Sequence, residues 1–340
     1  MRSLSTRVLE KIVPRSVIGF CYHTVSDRQL PHVESLYRCK SVAQFRRDLD
    51  FLRRSYRVVS YAELERARST DGNGKPCVVI TFDDGLVECH DVVRPVLLEY
   101  GLPAIFFVTT EFLDNRRLFY RQKVALCIEA CSRLTPAEAT AVARDAARDF
   151  GAATGGTALD SAAQLEARLQ AATWSEEPAI DATCSRLGID TDEYLRTVRP
   201  YLTRAQVQAL AADGFTIGAH GTSHQKLGTM TEPGARAEII AACDAVSGLA
   251  PAPTIPFAFP FNGRGVSREM MRMLRESHPQ VGLFFDSTEL AAEPAFVVNR
   301  LVVDDPTGAG ESGSNLPARI RRAYAREIVR PLVGNRARSN

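Results

Sequence analysis

Two neighbouring aspartates, Asp83 and Asp84, stand in the stretch Thr81-Phe82-Asp83-Asp84-Gly85. The apolar run Val78-Val79-Ile80 before them reads as a buried strand, and Gly85 lets the chain turn away at its end. Adjacent carboxylates repel when both are ionised in a dry site, so a positive group must hold at least one of them. Among six histidines, His220 and His224 form the one close pair, in His220-Gly221-Thr222-Ser223-His224. One aspartate and two histidines suit a catalytic zinc with a coordination position left for water. A carboxylate already ligating an ion is a poor base, so one aspartate should ligate while its neighbour takes the proton of water. Spacing alone does not assign the two roles. The same donor set also describes the facial triad of non-haem iron oxygenases, but those sites have no use for a second adjacent carboxylate. The acidic pair therefore favours hydrolysis.

Both motifs should lie at strand ends of one α/β layout. Ser16 to Tyr22 reads as a first buried strand that delivers His23. Val42, Phe45, Leu49 and Leu52 recur at helical spacing. A short strand over Tyr56 to Ser60 follows, with Ser60 capping a helix from Tyr61, and Asp71-Gly72-Asn73-Gly74 is a turn cluster before the aspartate strand. A helix from Val87 to Tyr100, kinked at Pro95 and ended by Gly101, leads to a strand over Ala104 to Val108. Residues 119–202 differ: Phe119 to Cys131, Pro136 to Phe150 and Leu159 to Ala171 are helical without a buried strand, and Gly151 to Gly156 interrupts them as a loop. They read as an α-helical insertion, either a lid or substrate wall or a packing appendage. The core pattern resumes with a helix over Thr203 to Asp213 and a strand over Phe215 to Ala219 that runs into His220. A helix from Pro233 to Val246, strands over Ile255 to Phe259, Val281 to Phe285 and Phe296 to Val303, and a helix from Val266 to Glu276 complete it. Strand, helix and strand in this order predict parallel βαβ units.

The balance of 45% hydrophobic and 24% charged residues with a net charge of +2 excludes a disordered chain and gives no overall pull towards nucleic acid. Cysteines at 21, 39, 77, 89, 127, 131, 184 and 243 contain no Cys-x-x-Cys, so they indicate neither a zinc ribbon nor a redox dithiol. Met1 to Arg7 lacks a continuous apolar leader, and no run is long enough to span a bilayer. The expectation is a soluble protein in the reducing cytoplasm. Pro306 to Asn315 reads as a Gly/Ser linker. Beyond it Arg319, Arg321, Arg322, Arg326, Arg330, Arg336 and Arg338 make a basic tail, with Ile320, Tyr324 and Ile328 at four-residue intervals. That helix either meets an anionic membrane surface, lipid carrier or phosphate-bearing substrate, or docks on its own domain by its apolar stripe. The layout is thus a catalytic domain over 14–304, interrupted by the 119–202 insertion, and a linker and basic tail over 305–340.

Taken with Phe257-Ala258-Phe259-Pro260-Phe261-Asn262-Gly263, the two motifs resemble, in order, the first three motifs of the polysaccharide deacetylases, carbohydrate esterase family four. Phe20 to Val25 and the Phe45 to Tyr61 segment are similar to many members. The resemblance spans about 14–118 and 200–304. It implies a distorted, incomplete (β/α) barrel with fewer than eight strands and an open groove. By it, Asp83 is the general base and Asp84, His220 and His224 hold a divalent metal, Zn²⁺ before Mn²⁺ or Co²⁺. Phe259, Pro260 and Phe261 would wall the substrate groove, and the Phe261 backbone N–H would help hold the oxyanion. The products would be acetate and a free amine.

Departures from the family pattern carry expectations of their own. Gly221 replaces a serine or threonine that helps order the histidine loop. Ala258 stands where an arginine often orients the catalytic aspartate, and Arg300 is the candidate replacement. Asp286-Ser287 lacks the Asp-Trp that completes the fourth motif. No histidine follows His278, so the usual late general acid is missing; His23 is either its substitute or a structural side chain. His90, within a helix, reads as a surface side chain or one that supports the site from behind, and His32 and His278 are assigned no role. The expected activity is metal-dependent removal of an N-acetyl group from an amino sugar in an intracellular glycan, glycan precursor or glycosylated metabolite. Rival readings are hydrolysis of another C–N bond, such as an N-formyl sugar, and a sugar-binding pseudoenzyme.

Overall fold

The computed structural model describes residues 17–67, 76–154, 159–291, 293–306 and 315–334. Met1 to Arg7, the Asp71–Gly74 cluster, Gly155-Gly156, residues 307–314 of the linker, and Arg336 and Arg338 lie outside the described residues. In chain order the elements are β1 (Val17–Tyr22), β2 (Tyr37–Arg38), α1 (Val42–Ser55), β3 (Arg57–Val58), α2 (Tyr61–Ala67), β4 (Cys77–Phe82), α3 (Arg94–Tyr100) and β5 (Ile105–Val108). Five helices follow: α4 (Tyr120–Ser132), α5 (Pro136–Thr154), α6 (Ala162–Gln170), α7 (Glu177–Arg186) and α8 (Thr191–Thr197). The chain then continues through α9 (Arg204–Ala212), β6 (Thr216–Ala219), α10 (Glu232–Leu249), β7 (Ile255–Ala258), α11 (Arg268–Ser277), β8 (Val281–Asp286), β9 (Val297–Val302), β10 (Asp305–Pro306) and α12 (Leu316–Gly334).

Seven parallel strands form a ring, because β1 bonds both β4 and β9 while β4 to β9 pair in succession. The barrel is short of the eight strands of a regular one but closed. It is distorted where β6 and β7 share the single pair Ala219–Phe257 and where the β7–β8 register shifts between Ile255 and Phe257. Alternation sorts each strand between two cores. Ile18, Phe20, Val78, Ile80, Phe106, Ile217 and Phe284 face the helix layer, whereas Val79, Ile105, Phe107, Leu283, Phe285 and Val298 fill the barrel. Two interior glycines make that filling fit. A Cβ on Gly218 would lie 2.4 Å from Phe107 Cδ1, and one on Gly19 would lie 2.5 Å from Arg300 Cγ. The missing side chains are the space those two large groups occupy.

Local chemistry explains the element ends. Ser41 and Gln44 form a capping box at α1, and Ser60 Oγ accepts the Glu63 N–H at the start of α2. The expected kink at Pro95 takes the form of a π-helical stretch, Cys89–Val93, with Pro95 in the first turn of α3, where its missing N–H is harmless. Gly101 caps α3 in the left-handed region at φ 61°.

Three boundaries differ from the sequence reading. Helix α5 continues through Gly151 to Thr154, so the loop begins later than the glycines suggested. Asp305–Pro306 is a strand paired with Tyr37–Arg38, which shortens the linker. The insertion also contains α7 and α8, which the three expected helices omitted. Its helices share a core of their own, including Phe119, Val124, Cys127, Phe150, Leu165 and Ile180. In the tail, Leu316, Ile320, Ala323 and Tyr324 of α12 are buried in the main core, as the self-docking alternative requires. No helix of the described residues is long and apolar enough to cross a membrane.

Candidate active site

The side chains singled out by the sequence converge at the C-terminal ends of the barrel strands, where β/α barrels place their chemistry. Asp83 and Asp84 follow β4, His220 follows β6, His23 follows β1, and Arg300 lies within β9. The turn after β4 is tight: Asp84 and Gly85 are both left-handed, at φ 72° and 75°. A non-glycine residue there is strained and persists where its surroundings fix it. Return contacts from the end of the insertion do so, with Leu202 N–H donating to Gly85 O and Val87 N–H to Pro200 O, each at 2.9 Å.

The two aspartates have different partners. Asp83 takes a two-pronged grip from Arg300, Nη1 to Oδ1 at 2.6 Å and Nη2 to Oδ2 at 2.8 Å. Arg300 is wholly buried and also donates to Thr81 Oγ1 at 3.1 Å. Cys21 Sγ donates to Asp83 Oδ2 at 3.3 Å. Burial alone would raise the Asp83 carboxyl, but the Arg300 charge and hydrogen bonds, with His220 and His23, hold it below its usual range. Arg300 itself is pushed further up by Asp83 against the effect of burial.

Asp84 faces the histidines instead. Its Oδ1 lies 3.4 Å from His220 Nε2 and 3.1 Å from His224 Nε2. His220 Nδ1 lies 2.9 Å from Ala258 O, and a carbonyl only accepts, so Nδ1 carries the proton and Nε2 turns a lone pair towards Asp84. Asp84 Oδ1 and His224 Nδ1 are buried without a hydrogen-bond partner among the described residues. The His220 Nε2 lone pair and the Asp84 carboxylate face one another as two acceptors, an arrangement a cation completes, and the second-atom bond of His220 is how ligating histidines are oriented. Asp84, His220 and His224 thus fit a divalent metal. Burial lowers the His224 pKa against the pull of Asp84, and the two histidines hold Asp84 well below its usual range against burial. Cys21, His23 and Asp83 also cluster. There, however, both Asp83 oxygens are taken by Arg300, and His23 Nδ1 is taken by Asp304.

Asp304 is the site residue that sequence reasoning missed. Its Oδ2 accepts the His23 backbone N–H at 2.9 Å and lies 2.7 Å from His23 Nδ1. Burial works to lower the His23 pKa, but the Asp304 bond and the charges of Asp84, Asp304 and Asp83 outweigh it and bring it up to about 9. Tyr37 lies against the same imidazole, ring centres 4.7 Å apart. The turn after Asp304 is braced by Arg319 of α12, which donates to Val303 O at 2.8 Å and Asp304 O at 3.1 Å.

The rest of the wall is aromatic. Phe119, which opens the insertion, has its ring 4.4 Å from that of His224, and Phe261 lies 5.1 Å from it. Of the three residues expected to line the groove, only Phe261 is open to solvent, 37% exposed and left-handed at φ 61°. Phe259 and Pro260 are buried. The Phe259 ring stacks on Phe284 at 5.6 Å in the core between barrel and helices, so alternation along the strand turns it away from the groove. The loop is held by Asp286, which accepts the Gly263 N–H at 2.9 Å and pairs with Arg268 at 3.0 Å. His32 is buried against Tyr194, its Nδ1 2.8 Å from the hydroxyl, and burial lowers its pKa to about 4.

A parallel barrel with an Asp-His-His cluster and a second, arginine-held carboxylate defines a hydrolase-type site. The polysaccharide deacetylase family model matches residues 70–152 and 169–277, more than half of the chain, and the chain belongs to that family. The match runs into the helical insertion. Among curated relatives, a chitooligosaccharide deacetylase of Rhizobium leguminosarum bv. phaseoli is 38% identical over 56 residues, 16% of this chain. The aligned stretch spans 24% of that relative's length. The Streptococcus pyogenes deacetylase PplD, solved with acetate, superposes with a TM-score of 0.53 at 15% identity, covering 91% of this chain and 97% of its own. A de-N-acetylase from Aggregatibacter actinomycetemcomitans superposes with a TM-score of 0.51 at 14% identity, covering 87% and 97%. Both share the fold.

Proposed function

We propose that the chain is a metal-dependent N-deacetylase that hydrolyses the acetamide of an N-acetylated amino sugar in a glycan or glycan precursor. The observation that carries this reading is the convergence of Asp84 Oδ1 with the Nε2 atoms of His220 and His224, beside a carboxylate held by Arg300. Asp84, His220 and His224 would hold the ion, and nitrogen and oxygen donors favour zinc over manganese or cobalt. Bound there, the ion would polarise the acetamide carbonyl and acidify water, which a carboxylate kept below its usual range needs in order to act as a base.

Asp83 takes the proton of the attacking water. Arg300 keeps that carboxylate ionised and fixes its orientation, so Arg300 is a positioning residue. His23 gives a proton to the departing amine: Asp304 holds its Nδ1–H, which leaves Nε2–H for the substrate. The Phe261 N–H stabilises the oxyanion, and its exposed ring offers a sugar face a platform. Family membership and the relative's printed activity on chitooligosaccharides support an amino-sugar substrate.

The test is acetate release by zinc-loaded protein from free, oligomeric, nucleotide-linked and lipid-linked N-acetylhexosamines. Wild type should release acetate from at least one class, and Asp83→Asn should lose about 10²–10⁴-fold. Stoichiometric zinc with no acetate from any class would sink the reading and favour another acyl group or a binding role.

A further inference from the structure

We propose that Glu238, on α10, is the positioning residue that fixes the histidine loop in its metal-holding shape. The inference rests on the reading of Asp84, His220 and His224 as the ligand set. The loop between His220 and His224 is left-handed at both ends: Gly221 adopts φ 77° freely, whereas His224 at φ 59° is strained. Such backbone persists only where neighbouring groups over-determine it. One side is pinned by main chain, Thr110 N–H donating to Gly221 O at 3.3 Å and Glu111 N–H to Thr222 O at 3.0 Å.

The other side is pinned by a single carboxylate. Glu238 accepts from Thr222 N–H at 2.7 Å, Thr222 Oγ1 at 2.6 Å, Ser223 N–H at 3.1 Å and Ser223 Oγ at 3.4 Å. Bonds to an ionised acceptor are stronger and shorter than neutral ones, and here they fall on the two residues directly before His224. Gly221 is the counterpart of this grip. A Cβ there would meet Glu238 Oε1 at 3.2 Å and Pro260 Cγ at 3.4 Å, so a side chain at 221 would crowd the carboxylate. The loop therefore takes from α10 the ordering contact that it lacks at 221. Ala235, Ile239, Ala242 and Cys243 bury the inner face of α10, which makes Glu238 a fixed post. It acts through the loop, so its effect should appear in how tightly the histidines hold an ion.

The experiment titrates zinc into metal-stripped full-length protein against a chromophoric chelator, for wild type, Glu238→Gln, Glu238→Ala and His224→Ala. The thermal midpoint of each zinc-free protein is measured alongside. Glu238→Ala should weaken zinc binding about 10–100-fold, the range for partners that orient ligands, with Glu238→Gln between it and wild type. Zinc-free midpoints should stay close to wild type. Unchanged zinc affinity in both Glu238 variants would overturn the proposal and leave the ligand set standing. Weakened affinity matched by an equal fall of the zinc-free midpoint would also overturn it, making Glu238 a folding residue. Wild type that takes no zinc, or His224→Ala that takes it equally well, would instead remove the ligand reading and the proposal with it. The Gln variant keeps the size of the side chain and so keeps the test open if the Ala variant misfolds.

Discussion

Arg300→Met puts the electrostatics of the barrel interior to a quantitative test. The Arg300 side chain is 0% and the Asp83 side chain 4% exposed, so solvent screens their pair little. Methionine fills much of the same space beside Gly19 but leaves the Asp83 carboxylate buried without its cation. Breaking a buried pair by removing one partner costs about 3–5 kcal/mol, a large part of the total stability of a domain. The loss should depend on pH. In wild type the depressed Asp83 pKa contributes stability above the unfolded value of 3.8, and it is lost as pH falls through the folded value. In the variant the largest force opposing burial is gone, so the Asp83 pKa rises, and the penalty shrinks as pH falls and the carboxyl protonates. Urea unfolding at neutral and mildly acidic pH measures both effects. Asp83→Asn supplies the control, since Arg300→Met added to it removes no partner from a buried anion and should cost much less. An equal loss in both backgrounds, or a pH-independent loss, would refute the reasoning.

Asp304→Asn should move the alkaline limb of acetate release down from near 9 towards the ordinary histidine value of 6.5, because His23 loses the group that keeps it protonated. The stability from that pair is present below 6.5 and lost as pH rises through about 9, so the variant should match wild type best in alkaline solution. Gly19→Ala places a methyl group 2.5 Å from Arg300 Cγ. It should cost about 1–3 kcal/mol in urea unfolding and lower acetate release by displacing Arg300 from Asp83.

The Asp83-Asp84 pair and the two histidines were legible as a candidate site because their chemistry is local, whereas the division of roles between the two aspartates came only from the family resemblance. Asp83-Asp84-Gly85 and His220 to His224 each follow a short apolar run, and a strand that ends in a carboxylate or imidazole reads as a site without knowledge of its neighbours. Long-range partners were not legible. Asp304 meets His23 across 281 residues, in a stretch that reads as the end of a strand and the start of a linker; the polar pair Asp304-Asp305 at a strand end was the one available signal. Glu238 sits on an amphipathic helix, where a half-exposed glutamate looks like any solvated one. Arg300 was visible only because the family resemblance leaves an arginine missing at Ala258 and Arg300 lies near the end of an expected strand. Phe259 misled because it shares the outward face of Phe257, two residues earlier, and is buried in the outer core, whereas the left-handed turn at Phe261, φ 61°, breaks the alternation and leaves that ring exposed. The helices α7 and α8 escaped notice because they are short and polar, and form within a core supplied by their neighbours.

The most direct measurement follows the rate of acetate release as zinc is added in increments to metal-stripped protein, with the best N-acetylhexosamine substrate and Asp83→Asn in parallel. The account predicts a rate that rises with zinc occupancy and stops rising once the Asp84, His220 and His224 site is filled, and a variant that binds the same zinc and releases almost nothing. A rate indifferent to zinc, or a variant as fast as wild type, would contradict it.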